Sequence, residues 1–143
     1  MFLIDTDVLS ALRRGGRHPA VERWLAAQRS TDLYLSVVTV GEIERGIDRK
    51  KPRDPSFADR LAVWLDRVLT WYGDRILPID IPTARSWGEL SGLLGHESAD
   101  LLIAATALRH RLTVVTGNVR HFEPTGVDIL DPFTHRAAPS ERH

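Results

Sequence analysis

The sequence predicts an α/β fold, a central parallel sheet flanked by helices, and three features carry that prediction. Short apolar runs alternate with longer amphipathic segments along the whole chain. Parallel strands need crossover connections, usually helical, so this alternation is what a parallel sheet requires. The runs also end in polar groups: Asp5 closes the first, and Thr116-Gly117-Asn118 closes a later one. In open sheets of this class the functional crevice lies at the carboxyl ends of the strands. Finally, 143 residues, 43% hydrophobic and 27% charged, are enough for one cored domain and argue against two.

Each element follows from local pattern. Phe2 to Ile4 form a short buried strand that stops at Asp5. Thr6 to Arg14 read as a helix stopped by Gly15-Gly16, and Pro19 to Gln28 as a second with proline in its first turn. Leu33 to Ser36 are a strand. Val40 to Asp48 are a helix, with Ile43 and Ile47 four apart, and residues 50–55 are a charged, proline-containing loop. From Phe57 to Tyr72, the residues Leu61, Trp64, Leu65, Val68, Leu69 and Tyr72 share one stripe at helical spacing. Ile76 to Ile79 are a short strand, with Pro78 marking an edge or an end. Pro82 to Leu94 are helical, and Ser98 caps a further helix with an apolar face of Leu101, Leu102, Ala105 and Leu108. Leu112 to Thr116 and Val127 to Leu130 complete the strands. The domain is expected over residues 1–133, with a polar, flexible tail over 134–143.

Composition excludes several chemistries. With no cysteine there is no disulfide, thiolate zinc site or cysteine nucleophile. No basic, apolar leader opens the chain, and no run approaches the roughly 18 apolar residues of a membrane span, so a cytoplasmic protein without membrane contact is expected. Nineteen basic and 19 acidic residues cancel, so bulk charge does not mark a nucleic-acid binder. The six histidines show no metal-binding spacing and read as surface or satisfied residues; the four tryptophans read as core.

Acids are what remains. Asp5 points into the strand-end crevice and reads as functional. Asp7, like Thr6, reads as a cap for the helix that follows. Glu42 fits a capping box beginning at Thr39, and Asp100 sits in a helical first turn, where the dipole favours a carboxylate but where it also lies at the mouth of a buried helix. Carboxylates without His or Cys partners suit hard cations such as Mg²⁺ or Mn²⁺, which serve phosphoryl chemistry.

Four segments, in order, resemble a PIN domain: Leu3-Ile4-Asp5-Thr6-Asp7-Val8-Leu9, Ser36 to Ile43, Ala99 to Ala107, and Thr116-Gly117-Asn118-Val119-Arg120-His121-Phe122. The resemblance extends from Phe2 to Pro132 and is strongest to VapC-type toxins of bacterial toxin–antitoxin pairs, including the FitB-like branch. It implies a compact α/β fold, Mg²⁺- or Mn²⁺-dependent cleavage of RNA, a homodimer and inhibition by a small antitoxin. It implies Asp5, Glu42 and Asp100 as metal-binding and catalytic acids, which favours a functional Glu42 over a capping one. Many members carry a fourth acid in the closing segment; here Asn118 and His121 stand there, and Asn118 is expected to ligate through its amide oxygen or to orient a water. Two alternatives compete. The Asp5-Thr6-Asp7 run also resembles the nucleophile motif of haloacid-dehalogenase-type phosphatases, and a catalytically weak PIN-like module would bind RNA or protein without cutting.

Overall fold

The computed structural model describes residues 1–134. The expected tail over 134–143 lies outside the described residues, apart from Thr134.

Among the described residues five short strands form one parallel sheet: β1 (Phe2–Ile4), β2 (Leu33–Ser36), β3 (Ile76–Leu77), β4 (Thr113–Val115) and β5 (Ile129–Leu130). Their order is β3-β2-β1-β4-β5. The chain therefore winds from β1 out to one edge, returns, and winds to the other. The gap between β1 and β4 is the topological switch point, where a crevice opens above the strand ends. Among the described residues seven α-helices connect the strands: α1 (Thr6–Arg13), α2 (Pro19–Ala26), α3 (Val37–Lys50), α4 (Pro55–Tyr72), α5 (Ile81–Leu94), α6 (Ala99–His110) and the short α7 (Val119–Phe122).

Alternation along the strands assigns the two cores. Ile4, Leu33, Leu35 and Val115 face one side, where they meet Val8, Val21, Trp24, Ile43, Ile47, Leu65 and Val68 of α1 to α4. Leu3 and Val114 face the other side, against Leu90 of α5 and Leu101, Ile103, Ala104, Ala105 and Ala107 of α6. A strand covered on both faces must be apolar at its buried positions, which is why β1 and the Val114–Val115 end of β4 read as apolar runs.

Several boundaries move. The third helix starts at Val37 rather than Val40, because β2 runs directly into it and Ser36 caps it by accepting from the Val38 N–H at 3.0 Å. Thr39 thus lies inside the helix, and the capping box expected for Glu42 does not exist. The strand expected over Ile76 to Ile79 shortens to two residues, ending before Pro78. The last strand likewise shrinks to Ile129–Leu130, and α7 was not expected at all. Trp71 departs from the core reading: it is 70% exposed on α4. Among the described residues no helix is long and apolar enough to cross a membrane.

Candidate active site

The register of the two central strands builds the crevice. Leu3 lies opposite Val114 and Ile4 opposite Val115, so the next residues out, Asp5 and Thr116, meet at the strand ends. Asp5 N–H still bonds Val115 O at 2.9 Å, which extends the strand to its last residue. The side chain is then fixed at both oxygens. Oδ1 accepts from the Thr6 N–H at 2.8 Å, capping α1, and Oδ2 accepts from the Thr116 hydroxyl at 2.8 Å. Thr116 Oγ1 in turn accepts from the Asn118 N–H at 2.9 Å.

Asp5 therefore caps the helix itself, and Asp7 does not. This overturns the capping role expected for Asp7, for a geometric reason: the residue before the first helical turn is Asp5, so the cap position is already taken. Asp7 instead reaches across the crevice, where Oδ2 accepts from the Gly117 N–H at 2.9 Å. Its Oδ1 is buried with no partner. The approach needs glycine at 117, since a Cβ there would stand 3.0 Å from Asp7 Oδ2 and 2.8 Å from the Phe133 ring.

Burial and mutual repulsion set the electrostatics. Asp5 is 2% exposed, and its carboxyl is pushed up to about 7, first by burial and then by the Asp7 charge, with Asp100 adding to the effect. Asp7 is raised mainly by burial, and Asp100 again contributes repulsion. Both effects disfavour the charged form, so this is a site short of positive charge.

Glu42 and Asp100 complete the set from two further elements. Glu42 sits on α3, where Oε1 accepts from the Thr6 hydroxyl at 2.5 Å, and Thr39 Oγ1 lies 3.2 Å from the same hydroxyl. Asp100 opens α6, in whose first turn the helix dipole favours it. Ser98 occupies the capping position without making a side-chain cap bond. Asp100 Oδ2 lies 3.0 Å from His121 Nδ1 of α7. Thr6 thus links Asp5 to Glu42, Asp100 lies near enough to Asp5 to raise its carboxyl, and Asp7, Thr116 and His121 join them. Asn118 lies at the crevice rim, tied in by its backbone, with its exposed side chain making no hydrogen bond among the described residues. His121 is exposed, as expected of a surface histidine, but no spacing pattern in the sequence signals its contact with Asp100.

The PIN domain profile matches residues 2–126. The chain belongs to the PIN-domain family. Relatives span nearly its full length. It is 36% identical over 142 residues to the VapC ribonuclease Y4jK of Sinorhizobium fredii, covering 93% of this chain and 98% of that protein. It is 33% identical over 142 residues to toxin FitB of Neisseria gonorrhoeae, covering 93% and 99%. Among solved structures, FitAcB from Neisseria gonorrhoeae superposes with a TM-score of 0.83 at 32% identity, over 94% of this chain and 100% of that one. The structure of FitAB bound to an IR36 DNA fragment gives 0.83 at 30% identity, over 96% and 99%.

PIN-domain ribonucleases are generally dependent on divalent metal ions, and the donor chemistry here fits one. The donors are hard carboxylate oxygens, one Asp7 oxygen is buried without a partner, and the site's charge is uncompensated. What the arrangement lacks is convergence. Among the described residues no three His, Asp or Glu side chains stand close enough to share one ion. Asp5 and Glu42 are both turned to hydrogen-bond partners of this chain.

Proposed function

We propose that this PIN-domain protein is an endoribonuclease that acts as the toxin of a toxin–antitoxin pair. Asp5, Glu42 and Asp100 are its metal-binding and catalytic acids, Mg²⁺ or Mn²⁺ is the ion, and Asn118 lines the same rim. The observation that carries the reading is the gathering of acids from β1, α3 and α6 at the switch point, with Asp5 raised to about 7 by burial and neighbouring charge. Such a site is balanced by a cation rather than by a resident base. All-oxygen donors favour Mg²⁺ or Mn²⁺ over softer ions.

When bound, the ion would activate water and stabilise the leaving oxygen of a phosphodiester. This chain's residues do the positioning. Thr6 N–H and the Thr116 hydroxyl hold the Asp5 carboxylate in one orientation, so little reorganisation accompanies reaction. Asp7 pins the Gly117 loop against the start of α1 and so holds the Asn118 rim in place. The Thr6 hydroxyl holds Glu42 by one oxygen, so Glu42 would meet an ion through the other with its orientation already set.

The phosphatase alternative finds no support in the site. Its required lysine is missing there: Lys50 and Lys51 lie exposed where α3 ends, Lys51 beside Asp48 and Lys50 over Phe57. For the partner, the relative named as toxin FitB and the solved FitAB structures support a small antitoxin. An arginine from its tail is the natural occupant of an acid cluster, because its planar fork meets carboxylates in pairs. We further propose a homodimer in the cytoplasm, with residues 1–133 as the nuclease domain.

Purified protein incubated with single-stranded RNA tests the reading. Cleavage with Mg²⁺ or Mn²⁺ is expected, with loss of at least about a hundredfold in Asp100→Asn, the scale of removing one electrostatic anchor of a transition state. An Asp100→Asn protein as active as wild type would overturn the site. RNA that binds but is never cut with either ion would leave the non-cutting binding module as the better account.

A further inference from the structure

The three acids are not held equally. Asp5 has a partner at each oxygen, and Glu42 is engaged by Thr6. Asp100 has one hydrogen-bond partner among the described residues, His121, which comes from 21 residues away on a different element. β4 ends at the crevice, the chain turns through Gly117 and Asn118, and one turn of α7 sets the imidazole 3.0 Å from Asp100 Oδ2. A carboxylate oxygen accepts and has no proton to give, so Nδ1 carries the proton and donates. That contact takes one Asp100 oxygen and leaves Oδ1 without a hydrogen-bond partner among the described residues.

The contact does little for the fold. The His121 side chain is 63% exposed, and an ion pair so open to solvent adds little stability. It stands instead on a ridge between two open clefts of about 340 Å³ each, one lined by His96, Ser98 and Asp100, the other by Gly117, Asn118 and Asp131, with Arg120 and His121 shared. Direct ligation through Nδ1 is not what the geometry offers, because that nitrogen faces Asp100 and no three His, Asp or Glu side chains among the described residues converge on a common point.

We propose that His121 is a positioning residue for the metal ion: its Nδ1–H fixes the Asp100 carboxylate in the orientation from which the free oxygen takes up a divalent cation. The proposal rests on the reading of Asp5, Glu42 and Asp100 as the metal site. Ligand groups are oriented by hydrogen bonds from residues behind them, and losing such a partner costs roughly ten- to a hundredfold in metal affinity.

Calorimetric titration of the full chain with Mn²⁺ at one fixed pH tests this, using wild type, His121→Ala, His121→Asn and Asp100→Ala. His121→Ala is expected to bind Mn²⁺ roughly 10 to 100 times more weakly. His121→Asn places an amide N–H where Nδ1–H was, and is expected to stay within about threefold of wild type. Melting of the metal-free His121→Ala protein within about 2 °C of wild type excludes a folding defect, as the exposed pair predicts. Unchanged Mn²⁺ affinity in His121→Ala, or an Asn variant as weak as the Ala variant, overturns the role of His121. If those results come with weakened binding in Asp100→Ala, the metal site stands and only the positioning role falls. If Asp100→Ala binds as tightly as wild type, the metal site itself is wrong and the positioning role falls with it.

Discussion

Asp5 and Asp7 on one side of the crevice and Asp100 on the other bear the same charge in opposite environments. The β1 side is buried, hydrogen-bonded to Thr6, Thr116 and Gly117, and raised in pKa by burial and by its own neighbour. On the α6 side Asp100 is more open to solvent and leans on the exposed His121. The difference separates two jobs. A carboxylate locked in a dry strand end provides fixed geometry at a cost in folding stability; one at a helix mouth provides charge at little cost, and its orientation has to come from a partner.

Substitution by the isosteric amide is the strongest way to break this comparison. Asp5→Asn and Asp100→Asn should both lose at least about a hundredfold in RNA cleavage, since each removes a negative group facing the ion. Their stabilities should diverge. Asp5→Asn deletes a buried charge while keeping groups that can bond Thr6 and Thr116, so the metal-free protein at pH 8 should melt roughly 2–8 °C higher, equivalent to about 1–3 kcal/mol. Asp100→Asn should melt close to wild type. Thermal melts of both, without metal, settle the matter; equal shifts would mean that the two acids are not differently buried.

Changing pH sharpens the same contrast with a smaller effect. The folded Asp5 carboxyl sits at about 7 against an ordinary 3.8, so between those values the folded state holds a proton that the unfolded state has lost. Stability of the metal-free protein should therefore rise as pH falls from about 8 toward 5, the reverse of a salt-bridged carboxylate. The slope should flatten in Asp5→Asn and persist in Asp100→Asn. Denaturant midpoints measured across that range provide the check, and a wild-type slope of opposite sign would contradict the buried assignment.

Gly117→Ala is the mildest probe. Its Cβ would press on the Phe133 ring and on Asp7 Oδ2, and the ring can move aside. A loss of about 1–2 kcal/mol is expected, the range for modest overpacking. Because the same substitution loosens Asp7 from the Gly117 loop, RNA cleavage should fall more than stability suggests. An alanine variant with wild-type melting and wild-type activity would mean that the close approach is dispensable.

Much of this was legible in the residues. Strand runs such as Phe2–Ile4 and Val114–Val115 announce themselves because strand positions buried on both faces of the sheet must be apolar. The amphipathic stripe over α4 does so because a surface helix exposes one face. Asp5 was legible as a polar residue directly after such a strand. Glu42 was not resolved by spacing, since Thr39 to Glu42 imitates a capping box and only the true start of α3 at Val37 removes that explanation. Asp7 was misread because capping and crevice residues are drawn from the same small polar set, and local pattern does not say which of two neighbours takes the cap.

The sequence by itself determined the alternation of strands and helices, the family, and the three acids that the family resemblance marks, because periodicity and ordered motifs are local properties of the chain. Tertiary structure alone decided the register that sets Asp5 beside Thr116, the reach of Asp7 to Gly117, the hold of Thr6 on Glu42 and the seat of His121 against Asp100. Those pairs lie 21 to 111 residues apart. Contacts at such separations arise when two cores pack against one sheet, and they leave no spacing behind in the sequence for a reader to find.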